Sequence, residues 1–205
     1  MSTKAAERSR NQRRARIEAA RRTRSRRLRI LAWTIALLAV AGVVTAMMLN
    51  SRPSSSNATK AATDFSLVNT AGDTIRLSDY RGHNVVLYFS EGAGCQSCLV
   101  QMGELEKYKA QFTALDVTVL PIVMNSRDQI MRDMAANGVT TPFLLDDGTV
   151  SRAYGTLGKG MHEGLPGHSF VLVDTNGQQR WYGEYPSMWL APKDLLAEVS
   201  SRLDR

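Results

Sequence analysis

Residues 84–98 read NVVLYFSEGAGCQSC, and this stretch decides the fold. Asn84–Phe89 is a continuous apolar run, the pattern of a strand buried on both faces. Ser90-Glu91-Gly92-Ala93-Gly94 follows as a small-residue loop, then Cys95-Gln96-Ser97-Cys98. Leu99, Met102, Leu105, Tyr108 and Phe112 recur at spacings of three and four, which predicts an amphipathic helix. A buried strand that turns through a cysteine pair into a helix is therefore the nucleus of the reading.

Working outward, strands are expected at Phe65–Val68 and Thr74–Leu77, around the turn residues Ala71-Gly72-Asp73. Val117–Val123 is a second buried-type strand, and Arg127–Asn137 is a helix closed by Gly138. Phe143–Leu145 and Phe170–Val173 are further strands, and Gln178–Gly183 pairs with the latter across Asn176-Gly177. A last helix spans Pro192–Leu203. Strands alternating with helices and ending in a hairpin predict an α/β architecture with a mixed sheet.

The 205-residue chain carries a net charge of +7, but that charge is unevenly distributed. Residues 1–29 hold 12 Lys/Arg against Glu7 and Glu18, whereas residues 61–205 hold 12 against 17 Asp/Glu. The basic run comes without a recognition module, so nucleic acid is not an expected partner. Ile30–Leu49 is uncharged for twenty residues, enough at about 1.5 Å per residue to cross about 30 Å of hydrocarbon. The stretch is longer than the apolar core of a secretory signal, although Val44-Thr45-Ala46 offers a small-residue pattern for cleavage. The expected organisation is a basic cytoplasmic tail (1–29), a retained transmembrane signal anchor (30–49), a flexible linker (50–63, NSRPSSSNATKAAT) and a folded domain (64–205). The arginines on its N-terminal side place the domain outside the cytoplasm, in a single-pass cell-membrane protein.

Two cysteines exclude a disulfide-dense scaffold and a four-cysteine zinc site. Two intervening residues in a first helical turn bring the sulfurs within bridging reach. The helix N-terminus stabilises a thiolate through its free N–H groups and dipole, and the first cysteine gains most. Cys95 is thus the expected nucleophile and Cys98 the resolving thiol. A structural disulfide is an alternative, although so short a loop removes little chain entropy. A metal site is another, with His162 and His168 as further ligands, or a copper carrier built on Cys95, Cys98 and His168. Met161-His162 and Met188-Trp189 would contribute soft-metal contacts if they converged. His168 and Glu91 are candidates for tuning the cysteine pair; no cofactor and no resident metal is expected.

The run VVLYFSEGAGCQSC, preceded by Leu77-Ser78-Asp79-Tyr80-Arg81-Gly82, resembles the peroxiredoxin/redoxin (AhpC/TSA-like) branch of the thioredoxin-like superfamily. Membrane-anchored TlpA-type thiol–disulfide oxidoreductases are the nearest kind. The resemblance covers about Asp64 to Val199 and implies a thioredoxin-like fold with helices flanking a mixed central sheet. It departs from the family in four places. Gly94 stands where thioredoxin-type members carry Trp. Cys98, nine residues after Phe89, stands where redoxin-type members carry the peroxidatic cysteine, but Cys95 and Glu91 replace their Thr and Pro. His168, six residues before Asp174, takes the place of the family's cis-Pro.

These readings imply a membrane-anchored thiol–disulfide oxidoreductase that exchanges disulfides with protein partners. Protein thiols and disulfides, and a membrane electron carrier or thiol redox partner, are its expected partners. A thiol peroxidase with Cys98 peroxidatic and Cys95 resolving is the alternative enzyme, and the copper carrier the alternative binding protein.

Overall fold

A computed structural model describes residues 29–49 and 52–203. Nearly all of the expected basic tail thus lies outside the described residues. The first unit contains helix α1, Arg29–Leu49, 21 residues with every side chain exposed; it is long and apolar enough to span a membrane.

The second unit is built on one mixed sheet. Its strands are β1 (Ser54–Ser56), β2 (Lys60–Ala61), β3 (Ser66–Asn69), β4 (Thr74–Arg76), β5 (Asn84–Phe89), β6 (Val117–Val123), β7 (Leu144–Leu145), β8 (Ser169–Val173) and β9 (Gln178–Glu184). The order across the sheet is β1-β9-β8-β5-β6-β7-β3-β4, with β2 also on β9. β5 runs parallel to β6 and antiparallel to β8, so it is central, and all six of its residues are buried. Val86 and Tyr88 enter one apolar cluster, while Val85, Leu87 and Phe89 enter another on the opposite face. That two-sided burial is why the run has no polar alternation.

The helices are α2 (Gln96–Lys107), α3 (Lys109–Ala114), α4 (Arg127–Asn137), α5 (Thr149–Ala153) and α6 (Pro192–Leu203). The apolar stripe Leu99–Phe112 is carried by two helices that break at Tyr108, whose φ and ψ are −99° and 9°. α4 starts with Ser126 and Gln129 in a capping box and ends on Gly138 at φ 66°, the left-handed conformation glycine adopts without strain. The strand expected to continue to Leu77 stops at Arg76 and passes into a 3-10 turn, Leu77–Tyr80.

The linker expectation needs correction. Ser54–Ser56 pair with Tyr182–Glu184, Lys60–Ala61 pair with Gln178–Gln179, and the Ala62 N–H donates to the Gly177 carbonyl at 3.0 Å. Backbone pairing needs no apolar pattern, so a Ser-rich segment seals the β9 edge and the folded unit starts before Asp64.

Candidate active site

β5 ends at Phe89, and parallel crossovers to β6 and then β7 run through α2–α3 and α4. The loop after β5 therefore opens at the C-terminal end of the parallel strands, where α/β sheets present their functional loops. Gly92 has φ 70°, and a Cβ there would lie 2.1 Å from Asn125 Oδ1, so the backbone packs directly on that amide. Asn125 Oδ1 accepts the Ala93 N–H at 2.8 Å, and Asp133 Oδ2 accepts the Gly94 N–H at 2.7 Å. Gln96 Nε2 donates to Asn137 Oδ1. Residues on both sides of Cys95 are thus gripped from the β6–α4 segment, a set that no motif in the sequence singles out.

Cys95 is the N-cap of α2, and its Sγ accepts the Cys98 N–H at 3.3 Å. The two cysteines form a disulfide with their Cα atoms 5.3 Å apart. Both cysteines are buried, Cys98 completely and Cys95 at 7% exposure, so Cys95 is the one of the pair that reaches solvent at all.

His168 is 1% exposed. Its Nδ1 lies 3.3 Å from the Tyr88 hydroxyl, which donates to the Cys98 carbonyl at 3.2 Å. Its Nε2 lies 3.4 Å from Gln101 Oε1, which also accepts the Leu190 N–H at 2.8 Å. Burial lowers the His168 pKa to about 3, so the ring is neutral, and burial raises the Tyr88 phenol far above its usual range. Phe170 stacks on Tyr88 at 4.8 Å and meets the His168 ring edge-on at 5.6 Å.

Glu91, also buried, faces elsewhere. Its Oε1 accepts the N–H groups of Met161 and His162 at 2.5 and 3.1 Å, and its Oε2 pairs with His162 Nδ1 at 2.8 Å. Its contacts latch the glycine-rich 155–167 loop; none is to a cysteine. Met161 is exposed and Met188 is buried in the apolar cluster. No group of three or more His, Cys, Asp or Glu suited to a metal occurs among the described residues. The His168 ring nitrogens face Tyr88 and Gln101, so the set Cys95, Cys98 and His168 is not assembled as a ligand shell.

Residues 58–181 match the sequence model of the AhpC/TSA family. A candidate peroxiredoxin of Mycobacterium tuberculosis (strain ATCC 25618 / H37Rv) is 31% identical over 120 residues, covering 56% of this chain and 76% of the relative. Among solved structures, the peroxidoxin BcpB of Mycobacterium tuberculosis aligns with a TM-score of 0.59 at 19% identity, over 69% of this chain and 95% of that one. Enterococcus faecalis AhpC aligns with a TM-score of 0.64 at 15% identity, over 72% and 93%. A candidate protein disulfide isomerase from Bacteroides thetaiotaomicron aligns at 0.56 and 22% identity, over 71% and 89%. These structural likenesses establish the thioredoxin-like, peroxiredoxin-like fold.

Proposed function

The chain belongs to the AhpC/TSA family and is a thiol–disulfide oxidoreductase, and from that premise we propose that Cys95 and Cys98 are its catalytic pair and act on protein disulfides and thiols. The observation that carries this reading is the placement of Cys95 as the N-cap of α2, with the Cys98 N–H on its sulfur and Cys98 sealed behind it. Helix N–H groups and dipole favour a thiolate at Cys95. A partner thiolate attacks Cys95 Sγ, the Cys95–Cys98 bond breaks, and its electron pair leaves on Cys98 Sγ. In the reverse direction Cys98 attacks the mixed disulfide and releases the partner thiolate.

Helix α1 then serves as a single-pass anchor, with the arginine-rich end in the cytoplasm and the redox unit outside, where disulfides persist. The redox partner is a membrane electron carrier or another thiol protein.

Trapping tests the assignment. Full-length Cys98→Ser should accumulate mixed disulfides with partner proteins, and Cys95→Ser should abolish disulfide exchange. If Cys98→Ser traps nothing and exchange survives Cys95→Ser, the assignment fails.

The peroxiredoxin names of the relatives favour a second reading, with Cys98 peroxidatic and Cys95 resolving. The burial of Cys98 in the disulfide form supports the first reading over this one. Stopped-flow oxidation of the reduced chain by hydrogen peroxide separates the two. Oxidation far faster than an ordinary thiol's, lost in Cys98→Ser, would replace the first reading with this one.

A further inference from the structure

Behind the cysteine pair, three hydrogen-bonding contacts share too few protons. Tyr88 Oη meets both the Cys98 carbonyl and His168 Nδ1, and His168 Nε2 meets Gln101 Oε1. The orientation of the Gln101 amide is fixed from outside this set. The Leu190 N–H donates to its oxygen at 2.8 Å, so that atom is an acceptor, and the amide Nε2 is left buried with no partner. A neutral imidazole brings one N–H and Tyr88 brings one O–H, two protons for three contacts.

Either tautomer leaves one contact unmade. With the proton on Nε2, Gln101 is satisfied and Tyr88 must choose between Nδ1 and the Cys98 carbonyl. With the proton on Nδ1, Tyr88 serves Cys98, but a bare Nε2 faces the Gln101 oxygen. A third proton satisfies all three at once: Nε2–H to Gln101, Nδ1–H to Tyr88, Tyr88 O–H to Cys98. Only the cost of a buried charge opposes it.

We propose that His168 is a redox-linked proton site, taking up a proton when the Cys95–Cys98 bond opens and releasing it when the bond re-forms. This rests on the reading of the two cysteines as an exchanging pair. Attack by a partner thiolate leaves an anion on Cys98, which is 0% exposed and set in an apolar cluster. An uncompensated buried anion is costly, and a cation nearby offsets it most strongly where the dielectric is low. A proton from solvent placed on His168 supplies that cation and completes the hydrogen bonds that hold the Cys98 turn. The sulfur keeps its electron pair and remains a nucleophile for the return step. His168 acts through Tyr88 and is a positioning residue.

The titratable groups around the ring allow this. Tyr88 on β5 is in contact, Cys95 and Cys98 head α2, and Tyr185, whose N–H donates to the His168 carbonyl, has its phenol pushed up to about 12. The buried carboxylate Glu91 is bonded to Met161 and His162, and among the described residues no carboxylate is hydrogen-bonded to the ring. In the disulfide state, burial keeps the ring neutral.

The test is nitrogen-15 NMR of histidine-labelled full-length protein in detergent at pH 7, oxidised and dithiol-reduced, with His168 assigned by comparison with His168→Gln. A neutral ring in the disulfide form and an imidazolium in the reduced form is the expected result. A ring neutral in both states, or cationic in both, overturns the proposal. Ultraviolet titration of the thiolate adds a second readout, with the thiolate fraction at pH 7 at least tenfold lower in His168→Gln than in wild type. Disulfide exchange that proceeds normally while the ring stays neutral removes this inference and leaves the Cys95–Cys98 assignment standing. Absence of exchange removes that assignment, whatever the ring does.

Discussion

Asp133 Oδ2 accepts the Gly94 N–H at 2.7 Å, so a carboxylate on α4 is fixed one residue in front of the first cysteine. The bond orders the loop, yet its negative charge opposes a thiolate at Cys95. These two effects separate on substitution. Asp133→Asn keeps an oxygen for Gly94 and removes the charge. At a near-surface dielectric the charge is worth on the order of 1 kcal/mol, about fivefold in thiolate fraction. Asp133→Asn should therefore lower the Cys95 thiol pKa and speed alkylation of the reduced protein at pH 7 by about that factor. Asp133→Ala should do the same but lose about 1 kcal/mol of stability in urea unfolding, for the lost hydrogen bond. Unchanged alkylation in both would show that Asp133 only holds the loop.

Glu91 latches the 155–167 loop with three accepted contacts, from Met161 N–H, His162 N–H and His162 Nδ1. Gly160 lies directly beneath it, and a Cβ there would sit 2.2 Å from Glu91 Oε1. Glu91→Ala should cost about 1 kcal/mol, because two loop N–H groups and the His162 ring lose their acceptor. Amide exchange at 161–162 should rise about tenfold or more, read by mass spectrometry. Gly160→Ala, which leaves the carboxylate but pushes the loop off it, should raise the same exchange. If both variants keep wild-type protection there, the latch is not what holds the loop.

Legibility from sequence followed the physics of each element. β5, β6, α4 and α6 have the bounds their patterns predict, because each is a largely buried apolar strand or a periodic helix, α4 with caps at both ends. The cysteine pair was legible for the same reason, since strand, loop and helix fix its place. β1 and β2 were not, because they join the sheet through backbone alone. Nor was α5, five residues whose start is held by the buried Asp146 carboxylate accepting from Val150 and Ser151. His168 and Glu91 stood out as residues, but a lone polar side chain carries no sign of which way it faces. Gln101 is one more polar residue on a helix until the Leu190 N–H is seen on it.

Sealing of the β9 edge has a measurable cost. Replacing residues 54–61 by an equal length of Gly and Ser, without β1 and β2, should lower stability by about 1–3 kcal/mol, a few net hydrogen bonds. It should also promote self-association of the redox unit, since an unpaired edge templates further pairing. Urea midpoints and sedimentation of the full-length variant would measure both. Wild-type values for each would return the segment to the status of a spacer.

Acid stability of the disulfide form tests the neutral buried His168. Its pKa falls from 6.5 in an exposed histidine to about 3 by desolvation, so the unfolded state binds the proton first as pH drops. Stability is therefore fully present above about pH 6.5 and is lost progressively as pH falls from 6.5 towards 3. Glu106 contributes in a lower window. Burial raises its pKa, but hydrogen bonds from Thr141 and Thr140 outweigh that and lower it overall, so its share fades only below the ordinary carboxylate range. His168→Gln should flatten the decline all the way from pH 6.5 towards 3, whereas Glu106→Gln should leave the slope between pH 6.5 and 5 in place and flatten only the part below the ordinary carboxylate range. Urea unfolding of the oxidised proteins across pH 3–7 would measure both slopes, and an unchanged slope above pH 5 in His168→Gln would mean that the ring is already charged or hydrated in the folded state.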